Sequence, residues 1–204
     1  MAAVSRACRI RNPALFPTLT KAPGKLTRKT SITTTTKLLK ASSTLNIPVY
    51  ITTQNRPRLG DVVSELRPYL STPLVRANID KTLFSMITPE LDALLPNAKA
   101  GEQPLDVIIV GIETHICITQ TTLDLLERGH RVYVIVDGVS SMNKEERGVA
   151  LARLQDAGAI VTSSEGVLFE ILGDAGRAEF KAVSGLVREM KDETREAMEV
   201  FSKI

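Results

Sequence analysis

The chain has 204 residues, enough for one domain with a full hydrophobic core and no need of covalent staples. Hydrophobic residues make up 43% of it and charged residues 24%, which excludes a disordered or fibrous chain; with aromatics at 4% and no Trp, Val, Ile, Leu and Ala must build the core. No apolar run approaches the ~18–20 residues of a membrane span, and two cysteines, Cys8 and Cys117, cannot make a disulfide framework, so both read as reduced thiols.

The net charge of +3 hides a division: residues 1–60 hold eleven Lys or Arg and no Asp or Glu, whereas the rest of the chain holds 15 basic and all 23 acidic side chains. An acid-free start bearing Arg, Ser and Thr has the composition of a mitochondrial transit peptide. The basic stretch outlasts a presequence and runs into residues that read as folded domain, so a cytoplasmic protein is expected, with mitochondrial targeting as the alternative. The basic residues are not interleaved with aromatics and follow no nucleic-acid reader motif, so neither nucleic acid nor membrane is expected as a partner.

In chain order, Pro13–Phe16 begins a strand, and Pro17, which cannot donate to a central ladder, is expected to cut it short. Pro17–Ser31, with two prolines, a glycine and four threonines, reads as loop. Ile32–Leu45 reads as a helix with Ile32, Leu38, Leu39, Ala41 and Leu45 on one face, stopped by Asn46-Ile47-Pro48. Val49–Thr53 is a β-branched strand, followed by a polar loop from Gln54 to Gly60. Leu105–Gly111 (LDVIIVG) and Arg131–Asp137 (RVYVIVD) are apolar runs of strand length, as in strands buried on both faces.

Ile116–Arg128 is the helix between them, ended by Gly129. Asn143 and Glu146 resemble a capping box for a helix from Lys144 to Ala157; Ala159–Thr162 is the last strand, and Ser163 or Ser164 caps a helix through Leu172. The charged, amphipathic tail from Gly176 reads as a solvated helix or helix pair, or as an element lying on a partner subunit. This alternation predicts a three-layer α/β/α domain with a mainly parallel, Rossmann-like sheet of about six strands, its first strand stunted. Residues 1–31 are expected to be an atypical, partly disordered basic segment, residues 32–190 the domain, and residues 191–204 a charged C-terminal helix.

Cys117 falls in the first turn of a helix that leaves the carboxyl end of a buried strand, where open α/β sheets bind ligands. A helix N-terminus favours a thiolate, and its free N–H groups can hold an oxyanion. The plain alternative is a small buried apolar residue. Lys81 taken alone reads as a surface lysine. Gln54, on the same sheet edge as Cys117, is open to a pocket or a structural role. His115 reads as a packing neighbour, and His130, after Gly129, as solvent-facing. Two histidines without an acidic cluster, and no Gly-rich phosphate loop, predict neither a metal nor a cofactor.

Gly111-Ile112-Glu113-Thr114-His115-Ile116-Cys117-Ile118, followed by Thr121-Thr122-Leu123-Asp124-Leu125-Leu126, resembles the nucleophile motif of the isochorismatase-like cysteine hydrolases. Pro48–Gln54 (PVYITTQ), Lys81–Met86 (KTLFSM) and Thr162–Asp174 (TSSEGVLFEILGD) resemble the subgroup of isochorismatase domain-containing proteins. The resemblance implies Cys117 as nucleophile, Lys81 as its catalytic partner, the backbone N–H groups of Glu113 and Cys117 as oxyanion donors, and a cis peptide at Ile112–Glu113. It further implies a homo-oligomer and a small amide or carbamoyl substrate cleaved through a thioester. One part of the pattern is absent. The family's catalytic aspartate ends the first strand in an Asp-x-Gln segment, and Pro17–Ser31 contains no Asp, Glu or Gln. The expectation is therefore an impaired hydrolase or, alternatively, a non-catalytic scaffold or oligomerisation module; the clean ends of the mismatch favour a variant exon or a gene-model error across this stretch.

Overall fold

Buried β-branched runs and helical runs alternate along the sequence, and the computed structural model, which describes residues 10–18 and 25–201, folds them accordingly. Strands β1 (Pro13–Thr18), β2 (Val49–Gln54), β3 (Val75–Lys81), β4 (Asp106–Ile112), β5 (Arg131–Ser140) and β6 (Ile160–Thr162) form one sheet. All its pairings are parallel, in the order β3-β2-β1-β4-β5-β6. The helices are α1 (Lys25–Leu45), α2 (Arg56–Leu59), α3 (Pro89–Asp92), α4 (Thr119–Glu127), α5 (Lys144–Asp156), α6 (Ser164–Leu172), α7 (Phe180–Glu189) and α8 (Lys191–Phe201).

Because side chains alternate across a strand, the sheet has two apolar faces. Leu15, Ile51, Ile108 and Tyr133 pack under α1, α6 and α7 through Leu38, Leu39, Leu168 and Val183. On the other face, Phe16, Tyr50, Ile109 and Val134 pack under α4, the turn that precedes it and α5 through Ile118, Leu125, Leu151 and Leu154. Every residue of β4 is buried, as its unbroken apolar sequence requires.

The stunted first strand is corrected. β1 continues through Pro17 to Thr18 and lies at the centre of the sheet, in register with β4 at all six positions. Against β2 its register is recorded only at Leu15 and Thr18. The Leu15 N–H donates to Pro48 O, immediately before β2, so Pro17, two residues on, turns its donor-free nitrogen to the same side. A proline thus fits a central strand where the ladder it faces is thin.

The loop expected over Pro17–Ser31 also gives way at its far end, where α1 begins at Lys25. The first described turns of α1 bury Thr30, Ser31, Thr34 and Thr35, not the apolar periodicity that marks a helix in sequence. Residues 1–9 and 19–24, which include Cys8 and part of the expected disordered segment, lie outside the described residues.

The charged tail docks on its own chain. Lys40 pairs with Glu189 on α7 at 3.1 Å, Lys29 pairs with Glu196 on α8 at 3.0 Å, and Lys37 Nζ donates to Thr194 Oγ1 at 2.7 Å. His130 is buried, not solvent-facing, because its Nδ1 accepts from the Leu105 N–H at 3.2 Å. Asn143 occupies the N-cap of α5 but makes no side-chain cap bond, whereas Ser163 Oγ caps α6 by accepting from Gly166 N. Among the described residues no helix is long and apolar enough to cross a membrane.

Candidate functional site

The parallel register sets Gln54, the last residue of β2, directly opposite Lys81, the last residue of β3. Tyr50, Thr52 and Gln54 alternate onto the face where Tyr50 stacks on Phe16, and Ile79 and Lys81 share that face. The strand ends are tied together: Asn55 N donates to Lys81 O, Thr53 Oγ1 donates to Asp80 Oδ1 at 2.9 Å, and Arg56 N donates to both Asp80 oxygens. Asn55 makes the turn at φ 47°, a left-handed conformation that Asn tolerates better than most residues.

Lys81 is only 5% exposed. Its Nζ donates to Gln54 Oε1 at 2.6 Å, Leu83 O at 2.9 Å and Phe84 O at 3.0 Å. Gln54 Nε2 in turn donates to Thr82 O at 2.8 Å. Burial pulls the Lys81 ammonium below the usual lysine range, opposed by the charges of Cys117 and Asp80.

Cys117 comes from the neighbouring half of the sheet. β4 ends at Ile112, the Ile112–Glu113 peptide is cis, and Thr114–Ile118 forms a wide π-helical turn leading into α4. The turn closes through the Ile118 N–H to Glu113 O at 3.1 Å. Gly111, at φ 126°, lies against β1 so closely that an added Cβ would sit 2.3 Å from Thr18 O, so only glycine fits this approach.

The thiol is buried at 6% exposure, and this reverses the expected shift. Burial pushes the Cys117 thiol up. The Lys81 charge is the largest opposing influence, followed by the Glu113 backbone N–H; the Glu113 carboxylate adds to the upward push, and the N–H of Cys117 itself opposes it. A helix N-terminus alone does not outweigh the loss of solvent here.

Sequence reasoning did not single out Thr121, whose role is to join the two halves of this site. Its hydroxyl donates to Cys117 O at 2.6 Å and accepts from Met86 N at 2.9 Å, tying the cysteine turn to the segment that follows Lys81. Its position one helical turn after Cys117 is the signal for such a back-bond. The hydroxyls of Thr18 and Thr52, in register on β1 and β2, are buried without a hydrogen-bond partner among the described residues.

No carboxylate bridges Cys117 and Lys81 among the described residues. Glu113 Oε2 accepts from Met142 N at 2.7 Å and lies 3.9 Å from His115 Nδ1, which faces Ser141 Oγ at 3.0 Å. Asp61 pairs with Arg56 and Arg67 on the exposed surface. Among the described residues, no group of three or more His, Cys, Asp and Glu is placed to hold a metal ion.

The model of the isochorismatase domain matches residues 21–166, a span that includes Gln54, Lys81 and Cys117. The chain belongs to the isochorismatase family. It is 42% identical over 156 residues to the secreted isochorismatase effector Isc1 of Phytophthora sojae, covering 76% of this chain and 73% of that one. Human isochorismatase domain-containing protein 2 is 39% identical over 153 residues, 75% of this chain and 70% of the relative. Among solved structures, that of the MAR1 ribonuclease from Caenorhabditis elegans superposes with a TM-score of 0.77 at 38% identity, covering 87% of this chain and 90% of that chain. In this isochorismatase-family domain the switch in strand order falls between β1 and β4, and the Cys117 turn leaves the sheet there.

Proposed function

We propose that this isochorismatase-family chain is a cysteine hydrolase that cleaves a small amide or carbamoyl carbonyl through a thioester on Cys117. The observation that supports the reading is the pair itself, a buried thiol and a buried ammonium on separate elements, each under the influence of the other's charge. Cys117 Sγ forms a bond to the carbonyl carbon, and the carbonyl electrons move onto oxygen. The N–H groups of Glu113 and Cys117 are the donors for that oxyanion, an interaction typically worth about 2.7–4 kcal/mol per donor. Collapse breaks the C–N bond, the amine leaves with a proton, and water then cleaves the thioester to release the acid and restore the thiol.

Lys81 favours the thiolate as a fixed positive charge. With no acidic residue at positions 17–31, the thiol proton and the leaving group lack a positioned carboxylate, and turnover is slow. That gap, with the upward push on the thiol, supports the second reading, a non-catalytic scaffold of the same fold. Self-association into a homo-oligomer belongs to the same reading, and light scattering on the purified chain tests it.

Assaying the purified chain on small amides, carbamoyl compounds and esters, with single-stranded RNA in parallel, decides among these readings. Slow release that Cys117→Ala abolishes is the expected result. Release that survives Cys117→Ala overturns the nucleophile, no release on any substrate favours the scaffold, and cleavage of RNA alone moves the chain toward the activity that the nematode protein's name states.

A further inference from the structure

Gln54 faces away from the role of a pocket-lining residue, because both ends of its side-chain amide are already committed. Its oxygen accepts from Lys81 Nζ at 2.6 Å and its nitrogen donates to Thr82 O at 2.8 Å. The second bond fixes the amide so that oxygen, not nitrogen, meets the ammonium. An ammonium has three protons, and with Leu83 O and Phe84 O the three acceptors around Lys81 use them all. Each of these acceptors is neutral. Among the described residues no carboxylate lies within ion-pair distance of Nζ; Asp80 acts on it only from beyond that distance, so no ion pair cancels the positive charge.

We propose that Gln54 is a positioning residue: it clamps Lys81 as a fixed, uncancelled positive charge beside Cys117, and does not bind substrate. The inference rests on the cysteine-hydrolase reading, but its test does not need turnover. In this arrangement Lys81 acts through its field, since no ammonium proton is left to donate to substrate or leaving group. The register that pairs Gln54 with Lys81, and the bonds of Thr53, Asn55 and Arg56 to β3, deliver the two side chains to each other before any ligand arrives.

The test is a double-mutant cycle read by the rate of Cys117 alkylation against pH, in a Cys8→Ser background. Gln54→Leu removes the acceptor at similar size, and Lys81→Met removes the charge. With Lys81 present, Gln54→Leu is expected to slow alkylation at neutral pH, roughly tenfold for each unit by which the thiol pKa rises. In the Lys81→Met background the same substitution is expected to change nothing. An equal slowing in both backgrounds, or none in either, overturns the clamp. If Gln54→Leu fails to fold, Gln54→Met read through the same cycle keeps the test intact. A cycle that behaves as expected in a chain that hydrolyses no substrate leaves the clamp standing and overturns the hydrolase reading alone.

Discussion

Among the described residues two lysines are buried, and the chain treats them in opposite ways. Lys37, on α1, is 1% exposed; its Nζ lies 3.8 Å from Asp137 and donates to Thr194 on α8. Asp137 is itself anchored by the N–H of Ser164 at 2.7 Å and by the Ser164 hydroxyl. Burial pulls Lys37 below the usual lysine range, with Asp137 the main opposing influence. Lys81 is nearly as buried, yet it bonds only to neutral acceptors. A buried charge with a carboxylate partner secures elements to one another. One held by neutral groups keeps a field that an adjacent thiol can feel.

The sharpest way to break this comparison is to remove each lysine in turn. Lys37→Met leaves Asp137 buried without that partner and is expected to cost roughly 3–5 kcal/mol in a urea melt. Lys81→Met leaves three neutral acceptors, two of them backbone carbonyls next to exposed Leu83 and Phe84, and is expected to cost about 1–3 kcal/mol. Equal losses would erase the distinction.

Restoring the acidic residue that the family pattern carries and positions 17–31 lack addresses catalysis. The double change Leu19→Asp with Lys21→Gln writes an Asp-x-Gln segment into the sequence directly after Thr18, the last residue of β1. It is expected to raise amide hydrolysis about 10²-fold or more, the usual gain from a positioned general base. An unchanged rate would show that the gap at residues 17–31 does not limit turnover.

The central strands and the Cys117 turn are legible in the sequence, and the failures elsewhere have physical causes. β4 and β5 are apolar runs buried on both faces, so pattern alone places them, and the turn after β4 then places Cys117 at the sheet's carboxyl edge. β1 was misread at Pro17, because a one-dimensional rule cannot tell which neighbour a missing donor faces. The start of α1 was hidden by a buried polar face. His130 looked exposed because its backbone sits after a glycine turn, whereas its ring completes a long-range bond to Leu105. The family resemblance named Cys117 and Lys81, but partners such as Gln54 and Thr121 depend on register and loop path, which sequence spacing does not encode.

Smaller changes sharpen the structural side of the comparison. Thr194→Val removes the tail's bond to Lys37 and is expected to lower stability by about 1 kcal/mol, with little effect on alkylation of Cys117. His130 shows a third way to bury a basic group, by keeping it neutral. Burial and the charge of Arg128 lower its pKa, and its Nδ1 accepts a hydrogen bond only while unprotonated. Below the ordinary histidine value of about 6.5, the unfolded chain takes up a proton that the folded chain refuses. Stability is therefore expected to fall as pH drops from there through the lowered folded value, by at most ~1.4 kcal/mol per pH unit from this group. His130→Gln should flatten that part of the profile, as thermal melts between pH 7 and 5 would show; an unaltered profile assigns the acid sensitivity to other groups.

The most direct test of the account is the pH profile of Cys117 alkylation in the Cys8→Ser chain, compared between Lys81→Met and Lys37→Met. The account predicts that Lys81→Met moves the profile to higher pH while Lys37→Met leaves it in place. Superimposable profiles for Lys81→Met and its parent, or an equal displacement by both substitutions, would contradict it.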